Sequence, residues 1–151
     1  MHAGRTWLSI GAIMKPVLLW IGIVLLPFAA CGVRRGDVVL VPKSYEGWVQ
    51  IHYDVGGAPV LRQEEEANLV EVPGSGIVTT SSSRSPGYGS DRYFFVDEAG
   101  SRTPIPVDGD EEDGRSVSNF QYFSSPAQVT VFFVGEPTKV EQYKRPVAED
   151  F

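Results

Sequence analysis

Cysteine is almost absent from this sequence: there is one, Cys31, in 151 residues. An intrachain disulfide framework is thereby excluded. Histidine is scarce too, with two residues, so a closed zinc site built from Cys and His has too few donors. Positive charge is in deficit. Lys and Arg number 13 against 19 Asp and Glu, giving a formal charge of −6 and a pI near 4.9. That sign is wrong for a nucleic-acid binder, which has to neutralise phosphates. A membrane-spanning run is also missing. The apolar stretch Val17–Leu26 holds ten residues, about 15 Å of helix against a hydrocarbon core of about 30 Å. Disorder is not indicated, since 42% hydrophobic and 21% charged residues are ordinary globular proportions. The length predicts one domain.

The short apolar run has the parts of a secretory signal. Lys15 precedes it, and Phe28-Ala29-Ala30-Cys31 follows with small residues at a cut site. Met14 is a conventional start for such a signal, with residues 1–13 as a dispensable leader. Two Ala before a Cys resemble a bacterial lipobox, although Phe28 stands where Leu is usual. The resemblance implies a diacylglyceryl group on the Cys31 thiol, cleavage before Cys31 and acylation of the new amino terminus. Two or three acyl chains anchor stably, because each buried methylene adds about 0.8 kcal/mol. Cleavage there removes Arg5 and Lys15 and no acidic residue, taking the formal charge from −6 to −8. Arg34 and Arg35 then lie next to the head groups. Gly32 rather than Asp after the Cys favours the outer membrane where a cell has two. The expected organisation is a signal over 1–30, a lipidated tether over 31–37, a folded domain over 38–145 and a tail over 146–151.

From Cys31 onward, short β-branched and aromatic runs alternate with Gly, Pro, Ser and Asp clusters, and no long 3.6-residue period occurs. Strands are predicted over 38–41, 48–55, 68–72, 76–81, 92–97, 101–107, 116–123 and 128–134. In the second, Val49, Ile51 and Tyr53 share one face, and Trp48, Gln50 and His52 the other. In the last, Val129, Val131 and Phe133 alternate with Thr130, Phe132 and Val134, so both faces are expected to be buried. Glu98-Ala99-Gly100 reads as a hairpin connection, Pro73-Gly74-Ser75 as a turn, and 81–90 as a loop. Glu136-Pro137-Thr138 opens one short helix, with Val140 and Tyr143 on a common face. The predicted fold is all-β: an antiparallel β-sandwich or small barrel of about eight strands with at most one short C-terminal helix.

Pro42-Lys43-Ser44-Tyr45-Glu46-Gly47-Trp48-Val49 begins a wider pattern. With Tyr53, Ala58-Pro59, Val72-Pro73, the run Gly76 to Ser82, Tyr93-Phe94-Phe95-Val96, Gly100-Ser101-Arg102-Thr103 and Phe133-Val134-Gly135, it resembles an uncharacterised family of bacterial lipoprotein domains. The resemblance covers about residues 38–145. It implies a shape rather than a chemistry, and it carries over no catalytic residues.

Three features are candidates for chemistry. Asp108, Asp110 and Glu112, in the acidic stretch 108–113, are weak Ca²⁺ candidates, because alternate carboxylates separated by Gly can wrap a hard cation. The EF-hand pattern fails, since Asp113 occupies the turn-Gly position, so a solvated acidic loop is the plainer reading. Glu64-Glu65-Glu66 with Arg62 forms a charged turn or an edge-strand guard. His52 is the sole histidine beyond the signal. It would serve a small hydrolase if a nucleophilic Ser and an orienting carboxylate stood beside it, yet no Gly-x-Ser-x-Gly elbow occurs. Tyr88, between Gly87 and Gly89, is the candidate partner contact, an aromatic on a permissive loop. The expectation is a lipid-anchored, non-catalytic envelope module with no cofactor. Its partners would be membrane lipid through Cys31 and an envelope protein or glycan. A His52 hydrolase and a Ca²⁺-stabilised surface domain are the alternatives.

Overall fold

By its internal contacts the chain divides into two units, Met1–Cys31 and Gly32–Phe151. The computed structural model describes residues 36–84, 90–108, 114–147 and 150, all in the second unit. Among them are nine strands: β1 (Asp37–Pro42), β2 (Gly47–Tyr53), β3 (Arg62–Glu64), β4 (Ala67–Glu71), β5 (Ile77–Thr79), β6 (Arg92–Val96), β7 (Arg102–Pro104), β8 (Ser116–Phe123) and β9 (Gln128–Gly135). A short 3-10 helix, Pro137–Gln142, follows with Pro at its start. No described helix is long and apolar enough to cross a membrane.

The strands form a five-stranded sheet in the order β3-β4-β1-β6-β7 and a four-stranded sheet in the order β5-β2-β9-β8. The expected β-sandwich is what forms. Its inner layer is made by alternate residues of both sheets: Val39, Val41, Val70, Tyr93 and Phe95 meet Val49, Ile51, Val117, Phe132 and Val134. The rings of Tyr93 and Phe132 lie 5.5 Å apart, edge to face, the arrangement their quadrupoles favour. Burial pushes the Tyr93 phenol far above its ordinary pKa. A second cluster, Trp48, Val129, Val131 and Phe133, lies on the outer face of the four-stranded sheet. Val140 and Tyr143, from the C-terminal helix and the residue just after it, pack against that cluster. Strand β9 is thus covered on both sides, as the apolar residues on both of its faces, broken by Thr130, require.

Both sheets are mixed, which goes beyond the antiparallel pairing expected. Strand β1 runs parallel to β4 and β6, and β2 parallel to β5. The pairs β2–β9, β3–β4, β6–β7 and β8–β9 are antiparallel. The chain's itinerary explains the mixture. Three of the antiparallel pairs are successive strands that stay in one sheet. After a crossing, β5 and β6 re-enter their sheets beside and parallel to a strand already there, whereas β3 re-enters opposite to β1 and its hairpin partner β4 then lies parallel to β1. Residue alternation reports which side chains are buried but carries no information on strand direction.

The first crossing uses the Pro42-to-Val49 segment, and the geometry explains its residues. The Tyr45 amide donates to the Pro42 carbonyl (2.8 Å), closing a turn. The Tyr45 hydroxyl donates to the Trp48 carbonyl (2.6 Å). Burial, reinforced by Tyr143, raises the Tyr45 pKa, so the phenol keeps the proton it donates. Trp48 then sets its ring edge-on to Phe133 at 5.4 Å.

Candidate functional site

In the five-stranded sheet, Val39, Val41, Val70, Tyr93 and Phe95 face the inner core. By strand alternation and register, Val38, Leu40, Ala67, Leu69, Phe94 and Val96 face the other way. That face carries these apolar residues beside Arg62, Glu64, Glu71, Arg92 and Arg102, and its apolar part is not left to solvent. Val38 is 1% exposed although it belongs to neither core cluster, and Leu40, Leu69, Phe94 and Val96 are half-buried.

Curvature of the sheet produces this enclosure. Strands β3 and β7 are its two edges, which in a flat sheet would stand about 19 Å apart. Instead Arg102 on β7 grips Glu64 on β3 with both guanidinium nitrogens, at 2.5 and 2.9 Å. The sheet therefore coils until its edges come within side-chain reach. Its outer face becomes a trough strapped by an ion pair between residues 38 positions apart in sequence. Arg62 and Glu71 make a second pair beside it.

At the C-terminal ends of the parallel strands β1, β4 and β6, the trough opens into a groove of about 640 Å³. Leu40, Val72 and Val96 supply apolar wall, and Glu71, Asp97 and Glu98 supply carboxylates, with Lys43 on the turn above. Asp97 is fixed by accepting the amides of Ala99 (3.0 Å) and Ser101 (2.8 Å), which locks the β6–β7 hairpin as the wall of the groove. Beside it stands the turn after β1, whose Lys43 amide donates to the Val96 carbonyl at 2.9 Å. Arg115 holds it from across the sandwich by donating to the carbonyls of Lys43 (3.0 Å) and Tyr45 (2.5 Å).

The strap predicts a pH signature. Hydrogen bonding to Arg102, with the charges of Arg102, Arg92 and Arg62 behind it, holds the Glu64 carboxyl below its ordinary value. A depressed carboxylate contributes stability above its unfolded pKa, about 4.3, and loses it as pH falls through the folded value. Replacing Arg102 by Ala should therefore lower the urea midpoint at pH 7. The difference from wild type should close below pH 4 and shrink in high salt, because the pair is exposed. Urea titrations of both proteins at pH 3, 5 and 7 would check it. A difference that persists at pH 3 would mean that Arg102 acts through packing and not charge.

The residues singled out by sequence fall elsewhere. His52 is half-buried on the outer face of β2, in register with Val129 and Thr79. Its Nε2 lies 3.2 Å from the Gln50 side-chain oxygen, and burial lowers its pKa. Asp108 has a left-handed backbone, φ 49°, and its amide donates to the Val117 carbonyl at 2.9 Å. Cys31, Tyr88, Asp110 and Glu112 lie outside the described residues, as do the signal over 1–30 and most of the tether. No group of three or more His, Cys, Asp or Glu suited to a metal occurs among the described residues. Glu64 was singled out within its charged cluster, and Arg102 stands in the Gly100-to-Thr103 match. Nothing in the sequence pairs the two. Arg115 carries no sequence signal at all.

The class that these features define is a two-sheet, mixed β-sandwich with one strongly coiled sheet. Residues 34–139 match the model of a family of unknown function, DUF6843, and the chain belongs to that family. Among solved structures, a candidate lipoprotein from Bacillus anthracis has a similar fold. It is 23% identical, with a TM-score of 0.53 over 74% of this chain and 81% of that one. No curated protein matches the sequence significantly.

Proposed function

We infer that this chain is a lipid-anchored envelope protein held on the exported side of a bacterial membrane, the outer one where there are two. Its sandwich acts as a non-catalytic binding or structural module. The observation that carries this reading is the fit between signal and fold. The lipobox-like Cys31 stands six residues before β1 begins at Asp37, a tether of at most about 20 Å. The strand that receives it is the central one of the five-stranded sheet, paired on both sides by β4 and β6. An anchor attached there pulls along two ladders at once, a sound place to hang a domain. The likeness of the fold to the candidate lipoprotein from Bacillus anthracis agrees with this reading.

Metabolic labelling with a fatty acid and a mass measurement of the mature protein test the anchor. Wild type should carry label and begin at Cys31. Cys31→Ser should lose all label and accumulate as a larger precursor that keeps its signal. Wild-type protein without lipid, or cut anywhere other than before Cys31, would overturn the reading.

A further inference from the structure

We propose that the groove at the C-terminal ends of β1, β4 and β6 binds a basic amphipathic segment of a partner polypeptide. This rests on reading the sandwich as a binding module, and it does not depend on the lipid anchor. The groove's volume, about 640 Å³, lies within the 300–1,000 Å³ of established binding pockets. Its walls combine two chemistries. Leu40, Pro42 and Val96, all half-buried, offer apolar surface, which favours an occupant able to take leucine- or valine-like side chains out of water. The same rim carries three carboxylates against one lysine.

The state of those carboxylates decides the sign of the partner. Glu71 shares its charge with Arg62, and Asp97 is held by two hairpin amides. Glu98 is exposed at the rim. Among the residues that line the groove, three carboxylates face one cation, Lys43; the nearby cations Arg62 and Arg115 are engaged, by Glu71 and by backbone carbonyls, and the whole chain carries −6. An acidic segment, or a second copy of this chain, meets like charge there. A segment that alternates apolar and cationic side chains satisfies the walls and the rim together.

Placement supports the same conclusion. Strand β1 enters from the tether at Asp37 and ends in the groove at Pro42, so the binding end is the end of the strand farther from Cys31 in the chain. The turn that forms one wall is clamped by Arg115, and the hairpin that forms the other is locked by Asp97. A preformed site of this kind loses little conformational entropy on binding.

The test uses the full chain in a non-ionic detergent and a fluorescein-labelled peptide of alternating leucine and lysine, read by anisotropy. A serine–lysine peptide of equal charge and a leucine–glutamate peptide serve as comparisons. The leucine–lysine peptide should bind, and both comparison peptides should bind at least about tenfold more weakly, since each lacks one of the two chemistries. Ser44→Arg, at an exposed turn position that lines the groove, should weaken binding by about tenfold, and Glu98→Lys by about fivefold. Glu141→Lys makes the same charge change at an exposed site outside the groove and should leave the affinity within about twofold. Absence of leucine–lysine binding overturns the proposal. So does an equal effect of Glu98→Lys and Glu141→Lys, or equal binding of the serine–lysine peptide. None of these results bears on whether Cys31 is acylated.

Discussion

Gly76→Ala should lower the melting temperature by about 12 °C, whereas Gly57→Ala should lower it by about 4 °C. Both glycines have left-handed backbones, φ 76° and 82°. A side chain at either position therefore carries the strain of that region, roughly 1 kcal/mol. They differ in what a Cβ would meet. At Gly57 nothing lies within 4 Å, whereas at Gly76 the Tyr45 hydroxyl lies 2.0 Å away and the Trp48 carbonyl oxygen 2.6 Å. Those two atoms are hydrogen-bonded to each other, so relieving one contact disturbs the other. The carbonyl belongs to β2 and cannot retreat without moving the strand. The Gly76 carbonyl also accepts the Gln50 amide at 2.8 Å, which is how β5 is docked onto β2. Adding the clash and the weakened bond brings the expected loss at Gly76 to about 3 kcal/mol, a size typical of overpacked sites. For a domain of this length each kcal/mol corresponds to about 4 °C. Thermal melts followed by circular dichroism would separate the two variants. Equal losses would show that backbone strain alone sets the value of Gly76.

The same neighbourhood shows what the sequence could disclose. Period-two alternation placed Val49, Ile51 and Tyr53 in the inner core and assigned both faces of β9 correctly, because burial is written directly into residue polarity. The hairpin at Glu98-Ala99-Gly100 was equally legible, with Gly100 at φ 82° in its expected role. Strand direction was not legible, since it depends on which sheet the chain enters next. The β3–β4 hairpin was hidden for a different reason. Its two central residues, Glu65 and Glu66, adopt φ 48° and 70°, where Asn or Gly is the usual signal. The run of three glutamates reads as a charged turn or edge-strand guard, and it lies at such a place, but the strand pairing on either side of it carries no signal. The trough was hidden because it depends on the coiling of a whole sheet. Leu40, Leu69, Phe94 and Val96 alternate with core residues and so look like an ordinary second face. The meeting of Glu64 with Arg102 from opposite edges, together with the burial of Val38, shows that this face is enclosed.

Arg115→Ala should lower stability by about 3 kcal/mol, and Arg115→Lys should recover less than half of that. The guanidinium spans two backbone carbonyls, those of Lys43 and Tyr45, while its central carbon lies 3.9 Å from the centre of the Phe95 ring. Hydrogen bonds from a charged donor contribute about 1.5–3 kcal/mol each, and the ring contact about 0.5–1 kcal/mol. These values overlap rather than add, because one side chain makes all three contacts. Alanine leaves both carbonyls without their donor and uncovers Phe95. Lysine keeps the charge, but its ammonium is a point donor without the planar fork that reaches both acceptors from over the ring. Urea midpoints of the three proteins give the ranking. Amide exchange supplies the local readout, because the Tyr45 amide, bonded to the Pro42 carbonyl, protects the turn that Arg115 holds. In both variants that amide should exchange faster than the loss of global stability accounts for, since local opening of the turn becomes easier than unfolding of the domain. If lysine restored full stability, charge alone would explain the residue. The turn after β1, one wall of the groove, would then hold its shape without a planar clamp.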